Sequence, residues 1–188
     1  TWAGDAKSLA SAAKHPVPAA RLAVAVALRK QKSAAVADML GDVDPRVVHE
    51  AARAIHDVPI AEAMPKLAEL AGRATQSDPL LRRVLNANFR LGKREHALAV
   101  ASVAARRDAP EAMRLEALKM LAAWEKPSSR DRVLGMWRPL GSREAGLAAA
   151  ALQQALPGIV AGSPRVAAEG AKIAAALGIQ EVGPALIA

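Results

Sequence analysis

The chain has 188 residues, of which 52% are hydrophobic and only 2% aromatic, and its formal net charge is +8. It contains no cysteine, which excludes a disulfide framework, a thiolate metal site and covalent haem attachment. A core with so few aromatic residues must consist of alanine, leucine and valine. Tyrosine and sustained period-two alternation are both absent, so we predict an all-α fold. No segment reaches the roughly 18 apolar residues that a membrane span needs.

The first half of the chain is predicted to form helices in pairs. Asp44 is a suitable N-cap, and Pro45 suits the first helical position because it needs no intrahelical donor there. A turn, Gly41–Asp44, precedes this start. The predicted helices are Trp2–Lys14, then Pro18–Arg29 with Ser33–Leu40, and then Pro45–His56 with Ile60–Arg73.

The second half is predicted to continue the pattern after a polar link, Ala74–Asp78. Gly92 is expected to end one helix as a C-cap, because glycine adopts the left-handed conformation readily. The start signal of Asp44 and Pro45 recurs as Asp78 with Pro79, Asp108 before Pro110, and Ser163 with Pro164. The predicted helices are Pro79–Leu91, Arg94–Arg106, Pro110–Trp124, Arg143–Leu156, Pro164–Leu177 and Gln180–Ala188.

An internal repeat underlies these pairs. The stretch Asp44–Ile55, DPRVVHEAARAI, returns as Ser163–Ala174, SPRVAAEGAKIA, and the two copies align without a gap. Looser copies give five equivalent positions at spacings of 28, 34, 31 and 54 residues, namely Arg21, His49, Arg83, Arg114 and Ala168. The long last spacing predicts an irregular insertion, Glu125–Ser142. A recurring pattern of this kind is typical of stacked repeats, so we predict a right-handed α-solenoid of about five HEAT-like helical hairpins. We expect residues 1–188 to form one domain of a longer, multidomain chain.

Four stretches together resemble a known family. They are RLAVAVALRK, DPRVVHEAARAIHDVPI, LLRRVLNANFRLG and MRLEALKMLAAWEKPSSRDRVLGMWRPL. As an ordered series, running from about Ala20 to about Arg143, they resemble the HEAT-repeat region of the bacterial PVC-type haem-binding CxxCH proteins, also called membrane-bound dehydrogenases. The more specific signatures are Asn86-Ala87-Asn88-Phe89 and Arg130-Asp131-Arg132 followed by Trp137-Arg138-Pro139.

The resemblance implies a scaffold rather than a catalyst. In that family the HEAT region lies between a sugar-dehydrogenase-like β-propeller and a c-type cytochrome domain, and the proteins are thought to be exported. The implied location is therefore periplasmic, although the first residues, TWAGDAKSLA, lack the pattern of a signal peptide. Without cysteine the chain has no CxxCH motif, so the resemblance transfers no catalytic, cofactor-binding or metal-binding residue. The expected partners are protein domains, and no small-molecule substrate is indicated.

Two sets of polar residues have a structural interpretation that we prefer. His49 and His56 would share a helix face, but the arginine between them repels a cation, so hydrogen bonding is favoured over metal binding. Asn86 and Asn88 interrupt an apolar helix, where asparagine is unfavourable. A buried polar contact that fixes the register of the repeats is favoured over a ligand contact.

The insertion holds the candidate interaction residues, because loops carry function more often than stacked helices do. They are Arg130, Arg132, Trp137 and Arg138, and tryptophan and arginine are enriched in binding hot spots. The alternative, which we prefer at this stage, is structural: Asp131 pairs with an arginine, and Trp137 fills the gap left by the displaced returning helix.

A second hypothesis is that the solenoid binds nucleic acid or another polyanion through a basic band over the third repeat. Some helical-repeat glycosylases bind duplex DNA with such a band, which makes an enzyme of that type a third alternative. A solvated, arginine-rich surface explains the charge more simply, and we prefer that interpretation. The band consists of Arg82, Arg83, Arg90, Lys93, Arg94, Arg106 and Arg107.

Overall fold

A computed structural model describes residues 5–73, 77–144 and 146–179. Across these ranges the regular structure is helical, apart from a single antiparallel bridge between Arg130 and Trp137. The predicted all-α class is therefore confirmed. No helix in the described ranges is long and apolar enough to cross a bilayer. The predicted helix Gln180–Ala188 and the start of Trp2–Lys14 lie outside the described residues.

The chain divides into two compact units, Thr1–Leu70 and Ala71–Ala188. The first contains α1 (Ala6–Ala12), α2 (Pro18–Gln31), a 3-10 helix (Ala34–Gly41) and α3 (Pro45–Asp57). The last three of these contact one another and enclose an aliphatic core. The predicted start of α3 is confirmed, because the side chain of Asp44 accepts a hydrogen bond from the backbone N–H of Arg46.

The segment Ile60–Arg73, which we predicted as one α-helix, is mostly irregular or 3-10 helical. It consists of a 3-10 turn (Ala61–Ala63), α4 (Met64–Ala68) and a second 3-10 turn (Glu69–Gly72). Pro65 is the physical reason, because it has no N–H to donate to a preceding carbonyl and is tolerated only in the first turn of an α-helix. The α-helical part therefore begins at Met64, one residue before Pro65.

A buried arginine closes the turn between α2 and α3. Arg21, the fourth residue of α2, binds Asp42 through Nε at 2.6 Å and Nη2 at 2.8 Å. Its third nitrogen donates to the carbonyls of His15 and Pro16. The hydrogen bond from Arg21 lowers the pKa of Asp42. A bidentate pair of this kind holds the turn in one geometry.

The second unit contains five helices in the described ranges. They are α5 (Asp78–Leu91), α6 (Arg94–Ala105), α7 (Glu111–Ala122), α8 (Leu147–Val160) and α9 (Pro164–Ala176). Each helix contacts the next one and the next but one along the chain. The front helices α5, α7 and α9 thus contact in sequence, and α6 contacts α8 behind them.

Several predicted helix ends need correction. The N-cap of α5 is Ser77 rather than Asp78, and α7 starts after Pro110 without a side-chain cap. Asp108 instead binds Arg106 at 3.0 Å. The predicted C-cap Gly92 is confirmed by its left-handed φ of 71°.

The helix predicted at Arg143–Leu156 begins and ends four residues later, at Leu147–Val160. It starts after Gly146, whose φ of 89° is outside the helical range. It also continues past Gly158, where a Cβ would lie 2.9 Å from that of Ala105 on α6. This glycine therefore allows α6 and α8 to approach closely.

Candidate functional site: an exposed tryptophan on a pinned hairpin

The predicted insertion contains a short β-hairpin, Ser129–Arg138, which we call the Trp137 hairpin. The N–H of Asp131 donates to the carbonyl of Met136 at 2.8 Å, and the N–H of Arg138 donates to that of Ser129 at 2.9 Å. These bonds flank the bridge between Arg130 and Trp137, which are therefore a non-hydrogen-bonded pair with closely spaced side chains. Because side chains alternate between the two faces of a strand, Arg130 and Trp137 share the outer face and Asp131 lies on the inner one.

Asp131 holds the hairpin together from inside. Its side chain is fully buried, and Oδ1 accepts hydrogen bonds from the N–H groups of Val133 and Leu134, both at 2.9 Å. Oδ2 lies 3.4 Å from Nη1 of Arg90 on α5, which also donates to the carbonyl of Arg138. The expected pairing of Asp131 with an arginine is confirmed. Burial lowers the pKa of Arg90, and the charge of Asp131 opposes this shift.

Two further arginines attach the insertion to the helices. Arg132 binds Glu116 of α7 through Nε at 2.8 Å. The guanidinium carbon of Arg143 lies 4.6 Å from the ring centre of Phe89 and 4.9 Å from that of Trp124. The two rings themselves meet edge to face at 5.5 Å. Burial, followed by the charge of nearby Arg90, lowers the pKa of Arg143.

The guanidinium of Arg143 is stabilised by the rings of Phe89 and Trp124. Neither Nη1 nor Nη2 has a hydrogen-bond partner within the described part of the chain, and the same holds for the indole N–H of Trp124. Cation–π attraction to Phe89 and Trp124 therefore replaces the hydrogen bonds that a buried guanidinium usually makes. Sequence reasoning missed Arg143 because it placed this residue at the start of a helix.

The exposed residues of the hairpin are Trp137 and Arg130 on its outer face and Gly135 and Met136 at its turn. Trp137 is 70% exposed and Met136 is 55% exposed, so the expectation that Trp137 fills a gap in the core is wrong. Trp124, which is 1% exposed, packs with Phe89 in the interior of this unit instead. Arg130 is exposed beside Trp137, and its Nη1 donates to the carbonyl of Gly135 at 3.0 Å. Single exposed apolar side chains are common at protein surfaces, whereas exposed apolar patches often mark interaction sites.

The sequence-predicted histidines and asparagines lie on two helices, α3 and α5. His56 is fully buried, with Nδ1 2.9 Å from the carboxylate of Asp57, whereas His49 is half-buried. The described residues include no group of three metal-ligating side chains. Asn86 and Asn88 are both buried, as expected for the polar contact.

His96, which the sequence analysis did not single out, forms a hydrogen bond with the side chain of Asn88. The amide of Asn88 donates to the carbonyl of Val84 at 3.0 Å, so its oxygen faces Nδ1 of His96, also at 3.0 Å. Nδ1 must therefore carry the proton. Burial lowers the pKa of His96.

The basic band is partly engaged inside the protein. Arg83 donates to the carbonyl of Pro79, and Arg106 donates to that of Ala71 as well as to Asp108. Arg90 is turned toward Asp131. Arg82 is half-buried, and the three remaining members are exposed, namely Lys93, Arg94 and Arg107. The structure does not bring all seven to one open face, and polyanion binding stays a prediction.

A groove of about 490 Å³ lies between α6 and α8. Half of its lining residues are alanine, and the others are Leu98, Ser102, Arg106 and Gln154. The hydroxyl of Ser102 has no histidine or carboxylate beside it in this lining to act as a base, so the groove indicates no chemistry. Comparison with family models, with curated proteins and with solved structures finds no match to this chain.

Proposed function

We propose that this chain is a non-catalytic HEAT-like scaffold that docks another protein domain through the Trp137 hairpin. In the fuller form of the proposal it is a spacer between a propeller-dehydrogenase domain and a cytochrome-like domain of a larger exported protein. The family resemblance supports this fuller form.

The repeat architecture is supported by the contact pattern of the second unit. In a stack of helical hairpins each helix contacts the next helix and its counterpart in the next hairpin. Helices α5 to α9 follow this pattern. Repeats of this kind offer extended surfaces for other domains, and an insertion between repeats adds a local feature to that surface.

The observation that carries the docking role is the contrast between the two faces of the Trp137 hairpin. Its inner face is fixed by Asp131 and Arg90, and its outer face presents Trp137 to solvent. A rigid aromatic anchor loses little conformational entropy on binding, which makes it effective in an interface. Arg130 lies beside it, and arginine is another residue type that is enriched in hot spots.

The test is to follow Trp137 in this chain alone and in the longer protein that its gene encodes. Proteins labelled with 5-fluorotryptophan give one fluorine resonance per tryptophan, and a Trp137→Phe variant assigns the resonance of interest. Docking predicts that this resonance shifts and loses its response to solvent when the neighbouring domains are present. The buried Trp124 resonance is the internal control, because its environment is already closed.

Two results would refute the proposal. An unchanged Trp137 resonance in the longer protein and in a mixture with its isolated neighbouring domains would remove the docking role. A coding sequence with no propeller before residue 1 and no CxxCH after residue 188 would remove the spacer role. Binding of duplex DNA that persists at about 0.15 M salt would favour the polyanion hypothesis instead.

A further inference from the structure

We infer that the outer face of the Trp137 hairpin takes an extended, acidic protein segment with an apolar side chain for Trp137 and a carboxylate for Arg130. This inference rests on the proposed function and specifies the chemistry of the partner. It is supported by the charge of Arg130, by the exposed indole of Trp137 and by the open backbone edge of Trp137.

The charge of the hairpin favours an acidic partner. Its ten residues, SRDRVLGMWR, contain three arginines and one aspartate. That aspartate, Asp131, is buried on the inner face, where Arg90 and two backbone N–H groups occupy it. The outer face therefore carries the positive charge of Arg130 with no carboxylate of the hairpin to neutralise it. A guanidinium binds a carboxylate through two parallel hydrogen bonds, which also fixes its direction.

The exposed indole of Trp137 requires that the partner also carry an apolar side chain. Trp137 is the largest of the apolar side chains that are exposed in the described residues; the others are Met136, which by strand alternation faces the other side of the hairpin, and three single valines. Since Trp137 lies directly across the hairpin from Arg130, one ligand segment can contact both. A single accessible arginine offers few phosphate contacts, so this face suits a peptide better than a nucleic acid backbone.

The backbone indicates an extended ligand. In a non-hydrogen-bonded pair the N–H and C=O of each residue point away from the partner strand. Those of Trp137 have no hydrogen-bond partner within the described ranges. An open strand edge of this kind can pair with an added strand, as in recognition by β-augmentation. Alternate side chains of that strand would reach Trp137 and Arg130 on the same face.

The test uses fluorescein-labelled synthetic peptides and the full chain. The probes are a set of short peptides in which Glu and either Val or Leu stand two residues apart, so that both lie on one face of an extended strand, the same peptides with Gln in place of Glu, an all-Glu peptide, and a single-stranded and a duplex DNA oligomer. We expect the acidic apolar peptides to bind in the micromolar to millimolar range by fluorescence anisotropy. The Gln and all-Glu peptides should bind at least about tenfold more weakly, because each lacks one of the two contacts.

Matched variants separate a site from general charge attraction. Trp137→Ala should weaken binding about tenfold or more, and Arg130→Gln about fivefold. Lys126→Gln removes the same charge from a side chain that is 83% exposed and should change binding less than about twofold. Circular dichroism of each variant checks that the fold is retained.

Failure of this inference differs from failure of the docking role. If none of the acidic peptides binds at about 1 mM, or if Arg130→Gln and Lys126→Gln weaken binding equally, the proposed partner chemistry is wrong. Tighter binding of either DNA oligomer than of the peptides overturns it as well. The docking role survives these results if the Trp137 fluorine resonance still shifts in the longer protein.

Discussion

Replacing Asp131 should show how strongly the hairpin depends on its buried carboxylate. Alanine removes the acceptor of two backbone N–H groups and the partner of Arg90 at once. Removing one member of a buried ion pair typically costs about 3–5 kcal/mol, because the other charge stays buried without compensation. Asparagine keeps an oxygen for the N–H groups of Val133 and Leu134 but also leaves Arg90 without its charged partner, so Asp131→Asn should cost about 1–2 kcal/mol less than Asp131→Ala.

The assay is urea denaturation combined with hydrogen exchange. Denaturation measures the free energy of unfolding, and exchange of the amides of residues 129–138 reports whether the hairpin opens locally. The matched control is Asp108→Ala. Asp108 also pairs with an arginine, but its side chain is 48% exposed, so this variant should lose no more than about 1 kcal/mol.

Either of two results would contradict this structural role of the Asp131 carboxylate. One is a loss of less than about 1 kcal/mol in Asp131→Ala without faster exchange in the hairpin. The other is no loss in Asp131→Asn, which would show that the charge and its pairing with Arg90 contribute nothing.

Three other substitutions test the packing and the caps. Ala161 stands two residues before the N-cap of α9, as Asp42 does before that of α3, and Arg114 is buried with its Nη2 unpartnered within the described chain. An aspartate at position 161 would offer Arg114 the kind of partner that Asp42 offers Arg21. Ala161→Asp should therefore raise the free energy of unfolding by about 1 kcal/mol, and the gain should vanish in Arg114→Met. Gly158→Ala should lower that free energy by about 1–3 kcal/mol despite its better helix propensity, and Ala105→Gly should partly restore it in denaturation experiments. The pKa of Asp44 is lowered to about 2, mainly by Arg46, so the advantage of the native protein over Asp44→Asn should be complete above about pH 4 and should disappear in thermal melts as the pH falls to about 2.

Much of the helical structure could be predicted because its signals are local. The pairing of an N-cap with a first-turn proline located the starts at Asp44 and Ser163, and Gly92 marked the end of α5. These signals depend on backbone hydrogen bonds within one turn of helix, so a single sequence contains them. Where two signals competed, as for Ser77 and Asp78, the prediction was wrong by one residue.

The candidate site could be predicted only in part, because it depends on which side chain faces inward. Composition indicates that an insertion must bury something, but it does not say which of two tryptophans does so. Trp124 at the end of α7 is buried against Phe89, and Trp137 is turned outward by its place opposite Arg130. That alternation follows from hydrogen bonds across the hairpin, which become apparent only when the turn at Gly135 is known.

The net charge of the chain is a poor guide to its ligand, because many of its arginines act inside the protein. Arg21 closes a turn by binding a carboxylate and two carbonyls, and Arg90 and Arg143 attach the insertion to α5. A guanidinium suits these places because its flat fork binds a carboxylate through two parallel hydrogen bonds and stacks flat on aromatic rings, whereas an ammonium group is a compact point charge without that planar geometry. The charge that matters for recognition is therefore the part left outside, and on the Trp137 hairpin that part is Arg130 beside an exposed indole.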